Sequence, residues 1–274
     1  MNIKMMVLAM ALSIVTLSCE DDDDKALPVP VAKNDVKAFS DLDNIADDVS
    51  YIAQAESNAE ISGRNGSGVP GFFLDCATFT TSENGDVWTR VIDFGNTNCT
   101  IYSGNKVRGK IIMTFTNNFD APTRTIDYAF ENFYHNNRHV EGNRTVVKTI
   151  LQNEHPQATI SLNMVVTYPN TAVFTRVGKR VREFTTGYNT PFDFTDNQFS
   201  VTGSWVTTSS VTGEGLTATI TAPVIIRWNC NQIVSGIILF NKIDGSIGTL
   251  DYGNGTCDSL AILTIDGKEF EIAL

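Results

Sequence analysis

From about residue 71 to its C-terminus the chain keeps to one rule: apolar side chains stand at every second position, with polar ones between them. Ala158, Ile160, Leu162, Met164, Val166 and Tyr168 form one such row against Thr159, Ser161, Asn163 and Thr167, with Val165 breaking the alternation. Ile126, Tyr128 and Phe130 alternate with Asp127, Ala129 and Glu131. Gly109, Ile111, Met113 and Phe115 alternate with Lys110, Ile112, Thr114 and Thr116. Period two with one polar side describes antiparallel strands that cover a core on one face only. About fourteen such runs follow one another at intervals of roughly 8–14 residues, uninterrupted by any helical stretch; this is the cadence of an all-β domain.

A smaller recurrence refines the expectation. Val-x-Gly occurs at Val107–Gly109, Val140–Gly142, Val201–Gly203, Val211–Gly213 and Val234–Gly236. Glycine inside a strand leaves room for a bulge or for a neighbouring backbone, so the repetition predicts a sheet that bends at several strands. Asn84-Gly85, Asn136-Asn137 and Asp244-Gly245 supply hairpin turns. The fold expected for residues 71–274 is a single all-β domain, a curved antiparallel meander forming a sandwich, roll or half-barrel.

The first sixty residues obey different rules. MNIK, the apolar run MMVLAMALSIVTL and Ser18-Cys19 describe a secretory signal peptide over residues 1–18. The run is shorter than the roughly 20 residues that a bilayer span requires. Ser18-Cys19 resembles a bacterial lipobox, with Thr16 and Leu17 departing from the usual pattern as in the relaxed lipoboxes of Bacteroidetes lipoproteins. That resemblance implies acylation of Cys19 and attachment to a membrane through N-terminal acyl chains. EDDDDK follows directly; it resembles the acidic signal that sends such lipoproteins to the outer face of the outer membrane, a solvated spacer being the alternative. ALPVPVAK completes an extended tether over residues 19–34.

Over residues 35–60, Val36, Phe39, Leu42, Ile45, Ala46, Val49, Ile52 and Ala53 recur at helical spacing, with Asp41, Asp43, Asp47 and Asp48 on other faces. Asn34 or Asp35 supplies the start signal. One amphipathic helix is predicted, docked on the domain that follows or offered to a partner. A Gly/Ser-rich linker occupies residues 61–70. Acidity belongs to this N-terminal part: residues 20–60 carry a net charge of −9, residues 61–274 only −3. No basic surplus exists to displace counterions from nucleic acid, which argues against that partner.

One sentence is written twice. IDFGNTNCT begins at Ile92 and LDYGNGTCD at Leu250, and each copy is preceded by a cysteine, a strand, a turn and a second strand. Hairpin partners sum to a constant, so a turn at Asp244-Gly245 puts residue 259 opposite Cys230, within disulfide range of Cys257 after a small adjustment. A turn at Asn84-Gly85 puts Asp93 opposite Cys76, and the Gly95–Asn98 segment would have to bring Cys99 back. Cys230–Cys257 is the better supported pair and Cys76–Cys99 follows by analogy, although four cysteines allow three connectivities. DYGNGTCD also has oxygens at alternate positions, as calcium loops do. The first copy ends in Thr100 where the second has Asp258, so no cofactor is assigned and calcium stays a minor alternative to an Asp-capped turn.

The acidic run after Cys19, the acidic helix, DFGNTNC and the terminal DYGNGTCDSLAILTIDGKEFEIAL resemble a family of uncharacterised Bacteroidetes (Flavobacterium-like) surface lipoproteins. The resemblance covers most of the chain and implies an outer-membrane lipoprotein exposed at the cell surface. It carries no activity with it.

Catalytic signatures are scarce. The chain has no HExxH, no Gly-x-Ser-x-Gly and no phosphate-cradling glycine loop. His135 and His139 flank a tight Asn136-Asn137 turn, which sets His135 opposite Arg138 and removes the helical spacing a zinc pair would need. Glu131, Glu141, Glu183 and Asp193 are available as glycosidase carboxylates, with nothing to fix their separation. Binding has more to offer. Lys106, Arg108 and Lys110 share one strand face, and Arg180 and Arg182 form a second pair near Arg176 and Lys179. Such cations could hold uronate, sulfate or lipopolysaccharide phosphate; a solvated sheet face or edge-strand protection is the bland reading. Trp205 and Trp228 are expected in the core, and Trp88 at the surface with a cation–π role. The expectation is a non-enzymatic ligand-binding module, the ligand a polysaccharide or lipopolysaccharide, or else an envelope-structural module. A carbohydrate-active hydrolase and a carrier of an apolar ligand are the alternatives.

Overall fold

The computed structural model describes residues 41–50, Ile52 and 76–274, apart from residues 102, 117, 119, 120, 153, 191, 192, 194, 231, 243, 244 and 246. Cys19, the acidic tether and the Gly/Ser linker lie outside the described residues.

Residues 41–50 form a helix, α1. The rest is strand: β1 (Thr78–Asn84), β2 (Val87–Asp93), β3 (Cys99–Thr100), β4 (Lys106–Thr116), β5 (Thr123–His135), β6 (Arg138–Ile150), β7 (Pro156–Thr167), β8 (Val173–Thr186), β9 (Gln198–Ser209), β10 (Gly215–Arg227), β11 (Gln232–Lys242), β12 (Ile247–Asn254), β13 (Leu260–Ile265) and β14 (Lys268–Ala273). Each strand pairs antiparallel with its neighbour in sequence, except that β4 pairs with both β2 and the short β3. The expected antiparallel meander is the observed one. β1 and β14 end the series, so the sheet does not close into a barrel.

It curls nonetheless. Ile92 and Phe94 near one end and Leu263 and Ile272 near the other belong to the same apolar core as the central Trp205. α1 lies in that core: Leu42, Ile45, Ala46, Val49 and Ile52 are at most 1% exposed. The helix is docked on the inner face of the sheet. Four of the five Val-x-Gly copies mark the bends. Val107, Val140, Val201 and Val234 are buried, and each following glycine has a neighbouring backbone against it. At Gly109 (φ 86°) a Cβ would stand 2.0 Å from the Asn132 carbonyl oxygen, and the β4–β5 register slips beside it. Only glycine fits there, by conformation and by space. The fifth copy is a coincidence of sequence: Val211 is 71% exposed in the β9–β10 turn.

Asn136 and Asn137 make the predicted tight turn, both at positive φ, with His135 opposite Arg138. The β1–β2 turn differs from expectation. Asn84 pairs with Val87, so Gly85-Asp86 turns the chain and Cys76 projects opposite Gly95 rather than Asp93. The segment after β2 then loops out, and β3 returns to β4 with Cys99 opposite Val107. Cys76–Cys99 and Cys230–Cys257 are the two disulfides, with Cα separations of 5.8 and 5.4 Å. The doubled sentence makes the same hydrogen bond in both copies. The Gly95 N–H donates to Asp93 Oδ1 and the Gly253 N–H to Asp251 Oδ1, each at 2.8 Å. The carboxylate caps the backbone two residues on, at glycines of φ 73° and 82°, a few residues before each cysteine. Asp258 accepts from Thr256 Oγ1 and the Leu260 N–H. Among the described residues no group of three His, Cys, Asp or Glu is placed to hold a metal ion. Trp205 is buried as expected. Trp228 is not a core strand residue: it opens a 3₁₀ turn at Trp228–Cys230 and is half-buried, because β10 ends at Arg227. Trp88, expected at the surface, is half-buried and packs against Phe115 at 6.4 Å, and Arg90 lies 5.2 Å over the Phe79 ring.

Candidate anion-binding site

The inner face of the sheet is unusually charged for a core. Register places its residues in rows across the strands. Arg124, Lys148, Ala158, Arg182 and Val201 lie in one row; Ile126, Val146, Ile160, Arg180 and Gly203 in the next; Tyr128, Arg144, Leu162, Gly178 and Trp205 in a third. Arg176 follows beside Thr207. Arg124, Arg144, Arg176, Arg180 and Arg182 are each less than 9% exposed. Arg180 and Arg182, expected on a solvent face, are therefore interior, while Lys179 just before them is exposed. The period-two rule applies to cations as strictly as to valines: the arginines sit at even positions of β8, with the core.

α1 sets carboxylates against part of this basic floor. At about 100° per residue, the apolar stripe of the helix is flanked by Asp43 and Asp47 on one side and by Asp41 and Asp48 on the other. Asp43 accepts from Arg176 and Arg180, and Asp47 lies 3.6 Å from Arg180. On the opposite flank Arg138 donates to Asp41 at 2.7 Å. Asp48 receives Ser103 Oγ and Asn105 Nδ2 and stands 2.7 Å from His135 Nε2. His135, considered in sequence only as a metal ligand, is instead buried against the helix. Aromatic walls offset part of the cost of burying the guanidinium groups: Arg180 lies 4.0 Å over the Trp205 ring and Arg182 3.6 Å over Phe199.

Another part of the floor lies beside residues 46–50 of the helix. There Arg144 donates Nη1 to the Ala46 carbonyl and Nη2 to Ser50 Oγ. Beside it is a cavity of about 30 Å³, lined by Val49, Ser50, Tyr128, Arg144, Val146, Lys148, Ala158, Ile160 and Arg182. Three of these nine residues are cationic and none is acidic. Burial lowers Arg124 and brings Arg144 down to about 10. Burial, with Arg124 and Arg182 beside it, pushes Lys148 down to about 8, and burial raises the Tyr128 hydroxyl.

The second expected stripe is on the outer face of β4. Lys106 is exposed, Lys110 donates to Glu131 at 2.6 Å, and Arg108 donates to Asn98 and Asn137 and lies 3.8 Å over the Tyr134 ring. β4 is paired on both sides, so these charges do not protect an edge. The structure thus separates the five expected ligand-binding residues onto opposite faces. Arg176, noted in the sequence beside Arg180 and Arg182, is buried with them. The structure adds Arg124, Arg144 and Lys148, which sequence reasoning passed over although they share their parity with Ile126 and Val146. The four carboxylates considered for hydrolysis are engaged locally: Glu131 with Lys110, Glu141 with His139 at 3.5 Å, Glu183 with His155 at 2.6 Å, and Asp193 with Thr195.

Fold and interior together define a class: an open antiparallel β-meander curled about one N-terminal helix, with ion pairs inside it. Compared with protein-family models, with curated proteins and with solved structures, the chain matches none. No helix among the described residues is long and apolar enough to cross a membrane.

Proposed function

We propose that the protein is an outer-membrane lipoprotein, anchored through acylated Cys19 and displayed at the cell surface, whose β-domain is a non-enzymatic binding module for an anionic envelope or polysaccharide ligand. One observation supports the binding part most: the basic inner floor extends past the acidic helix into a cavity lined by Arg144, Lys148 and Arg182. A carrier of apolar ligands fits less well, because the space such a ligand would need is filled by α1 and its ion pairs. A hydrolase fits less well, because the available carboxylates are tied up separately. Anchoring follows from three acyl chains at about 0.8 kcal/mol per buried CH₂.

The reading is tested in two arms. Cys19→Ala should release the protein to soluble fractions, and alanine at Asp21–Asp24 should keep it membrane-bound but shield it from external protease. The purified protein should be retained by sulfated or uronate polymers or by lipopolysaccharide, with affinity falling as salt rises. Membrane retention of the Cys19→Ala protein would remove the anchor, and salt-insensitive or absent retention would remove the anionic ligand.

A further inference from the structure

We infer that the loop joining β8 to β9 holds one calcium ion beside Gly187, on Asp196 and Asn197; the inference concerns a different part of the molecule from the anionic-ligand reading and does not rest on it. Residues 187–197 contain two aspartates and no lysine, arginine or histidine. Asn197 is 8% exposed, and its Oδ1 is buried with no hydrogen-bond partner among the described residues. Buried acceptors are nearly always paired, so this oxygen calls for a partner. The Trp228 N–H donates to the Asn197 carbonyl at 3.0 Å, which ties the residue to the end of β10. Gly187 shows what the amide oxygen faces. Its φ is 88°, and a Cβ built on it would stand 2.3 Å from Asn197 Oδ1 and 2.6 Å from Asp196 Oδ1. The two oxygens converge on one space, which the missing side chain keeps open.

Two acceptors cannot satisfy each other, and the oxygens around them add to the surplus. Thr190 Oγ1 stands 3.0 Å from the Gly187 carbonyl oxygen and 2.8 Å from Asp196 Oδ2, yet a hydroxyl has one proton to give. The Asp193 N–H donates to the Thr190 carbonyl at 2.9 Å, which keeps a second carboxylate in the loop. Bonds from Thr195 hold that carboxyl below its usual range. The loop thus gathers more acceptors than protons, and its formal charge is negative. The donor set selects the ion. Every candidate ligand atom is an oxygen, which disfavours metals that take thiolate or imidazole. Carboxylate, amide, carbonyl and hydroxyl oxygens, completed by water, are what calcium accepts in its flexible coordination, whereas magnesium demands a near-ideal octahedron. So few carboxylates place the affinity among weak calcium sites, at about 10⁻⁴–10⁻³ M. The ion ties the end of β8 to the start of β9. It also steadies Tyr188, next to Gly187, whose ring packs 5.0 Å from His155 and 6.2 Å from Phe184.

Titration calorimetry of the full mature chain, stripped of metal by a chelator, tests this. Calcium chloride should bind in that range, and magnesium chloride roughly tenfold more weakly or worse. Asp196→Ala and Asn197→Leu should each weaken calcium roughly tenfold or more. Asp258→Ala, in the other loop with alternating oxygens, should bind calcium as the unaltered chain does. Asn197→Asp separates a ligand from a packing residue. It sets a buried carboxylate beside Asp196, so without metal it should melt below the unaltered chain, since like charges in one site repel. Millimolar calcium should restore most of that difference. A pocket that holds only water gives no such recovery, and its absence overturns the site. Should Asn197→Leu fail to fold, the exposed Asp196→Ala decides alone. No calcium binding by the unaltered chain, equal binding by Asp196→Ala, or a loss confined to Asp258→Ala each overturns the site as well. Retention on an anionic polymer, run in chelator, is a separate readout and decides the ligand reading whatever the titration gives.

Discussion

His135 Nε2 and Asp48 Oδ2 stand 2.7 Å apart across 87 residues of chain, both side chains buried. With Ser103 and Asn105 on the same carboxylate, one helix residue gathers the β3–β4 loop and the end of β5. Asp43 does the same for Arg176 and Arg180 on β8. Removing one partner of a buried pair leaves the other uncompensated, at about 3–5 kcal/mol. Asp43→Ala and Asp48→Ala should each lower the urea-unfolding free energy by that order. Asp41→Ala, whose pair with Arg138 is about a fifth exposed on each side, should cost about 1 kcal/mol or less. Equal costs at all three positions would mean that the apolar stripe alone holds the helix.

The bends of the sheet depend on glycine through space as well as conformation. Gly109→Ala meets the Asn132 carbonyl at 2.0 Å and has a backbone, not a flexible side chain, in its way. It should cost about 3 kcal/mol or more. Gly213→Ala, also at positive φ but with nothing within 4 Å, carries only the conformational term, about 1–2 kcal/mol. Thermal melts of the two variants separate space from conformation.

Each disulfide closes a short loop, 23 residues for Cys76–Cys99 and 27 for Cys230–Cys257. In the chain-entropy model either contributes about 3.5 kcal/mol. Peptide mapping without reductant should recover these two pairs and no link between the copies, and the paired Cys→Ala variants should lose similar stability. A Cys99–Cys257 link would show that the two copies pack against each other.

Much of this fold was legible because strand burial has a strict period. The inner rows of β4, β5 and β7 match the sequence alternation residue by residue, and Val-x-Gly marked four real bends. What was not legible follows from register. Asn84-Gly85 turned the chain one residue later than the dipeptide suggested, which moved Cys76 by two positions against its partner strand. The site was half legible. Arg180 and Arg182 were picked out, but as surface charges, since cations are expected in water. The signal that they point inward is their shared parity with Gly178 and Arg176. The reason they can do so lies more than 130 residues away, in helix aspartates at the border of the apolar stripe. No local pattern connects the two.

The outer stripe gives a contrast with the inner floor. Lys106, Arg108 and Lys110 face solvent, and exposed pairs contribute little to folding. The triple alanine variant should keep its melting temperature nearly unchanged. If this stripe were the ligand site, polymer affinity and its salt dependence would collapse in that variant. With the ligand held inside the sheet, both should persist. Chromatography on an anionic polymer, run beside a melt, decides between the faces.

Lys148 provides the last check, and its sign is specific. Burial between Arg124 and Arg182 holds it at about 8 in the folded chain, against about 10.4 unfolded. Between those limits the unfolded chain binds the extra proton, so this group makes stability rise with pH. The rise is on the order of 1–3 kcal/mol, since each unit of difference is 1.36 kcal/mol and the side chain is only half-buried. Lys148→Met removes the buried charge, so it should be more stable than the unaltered chain at pH 7. That advantage should shrink toward zero as pH approaches 10, whereas Arg144, brought down to about 10, affects both proteins alike. An advantage independent of pH would mean that the methionine gains by packing and that Lys148 is not held down at all.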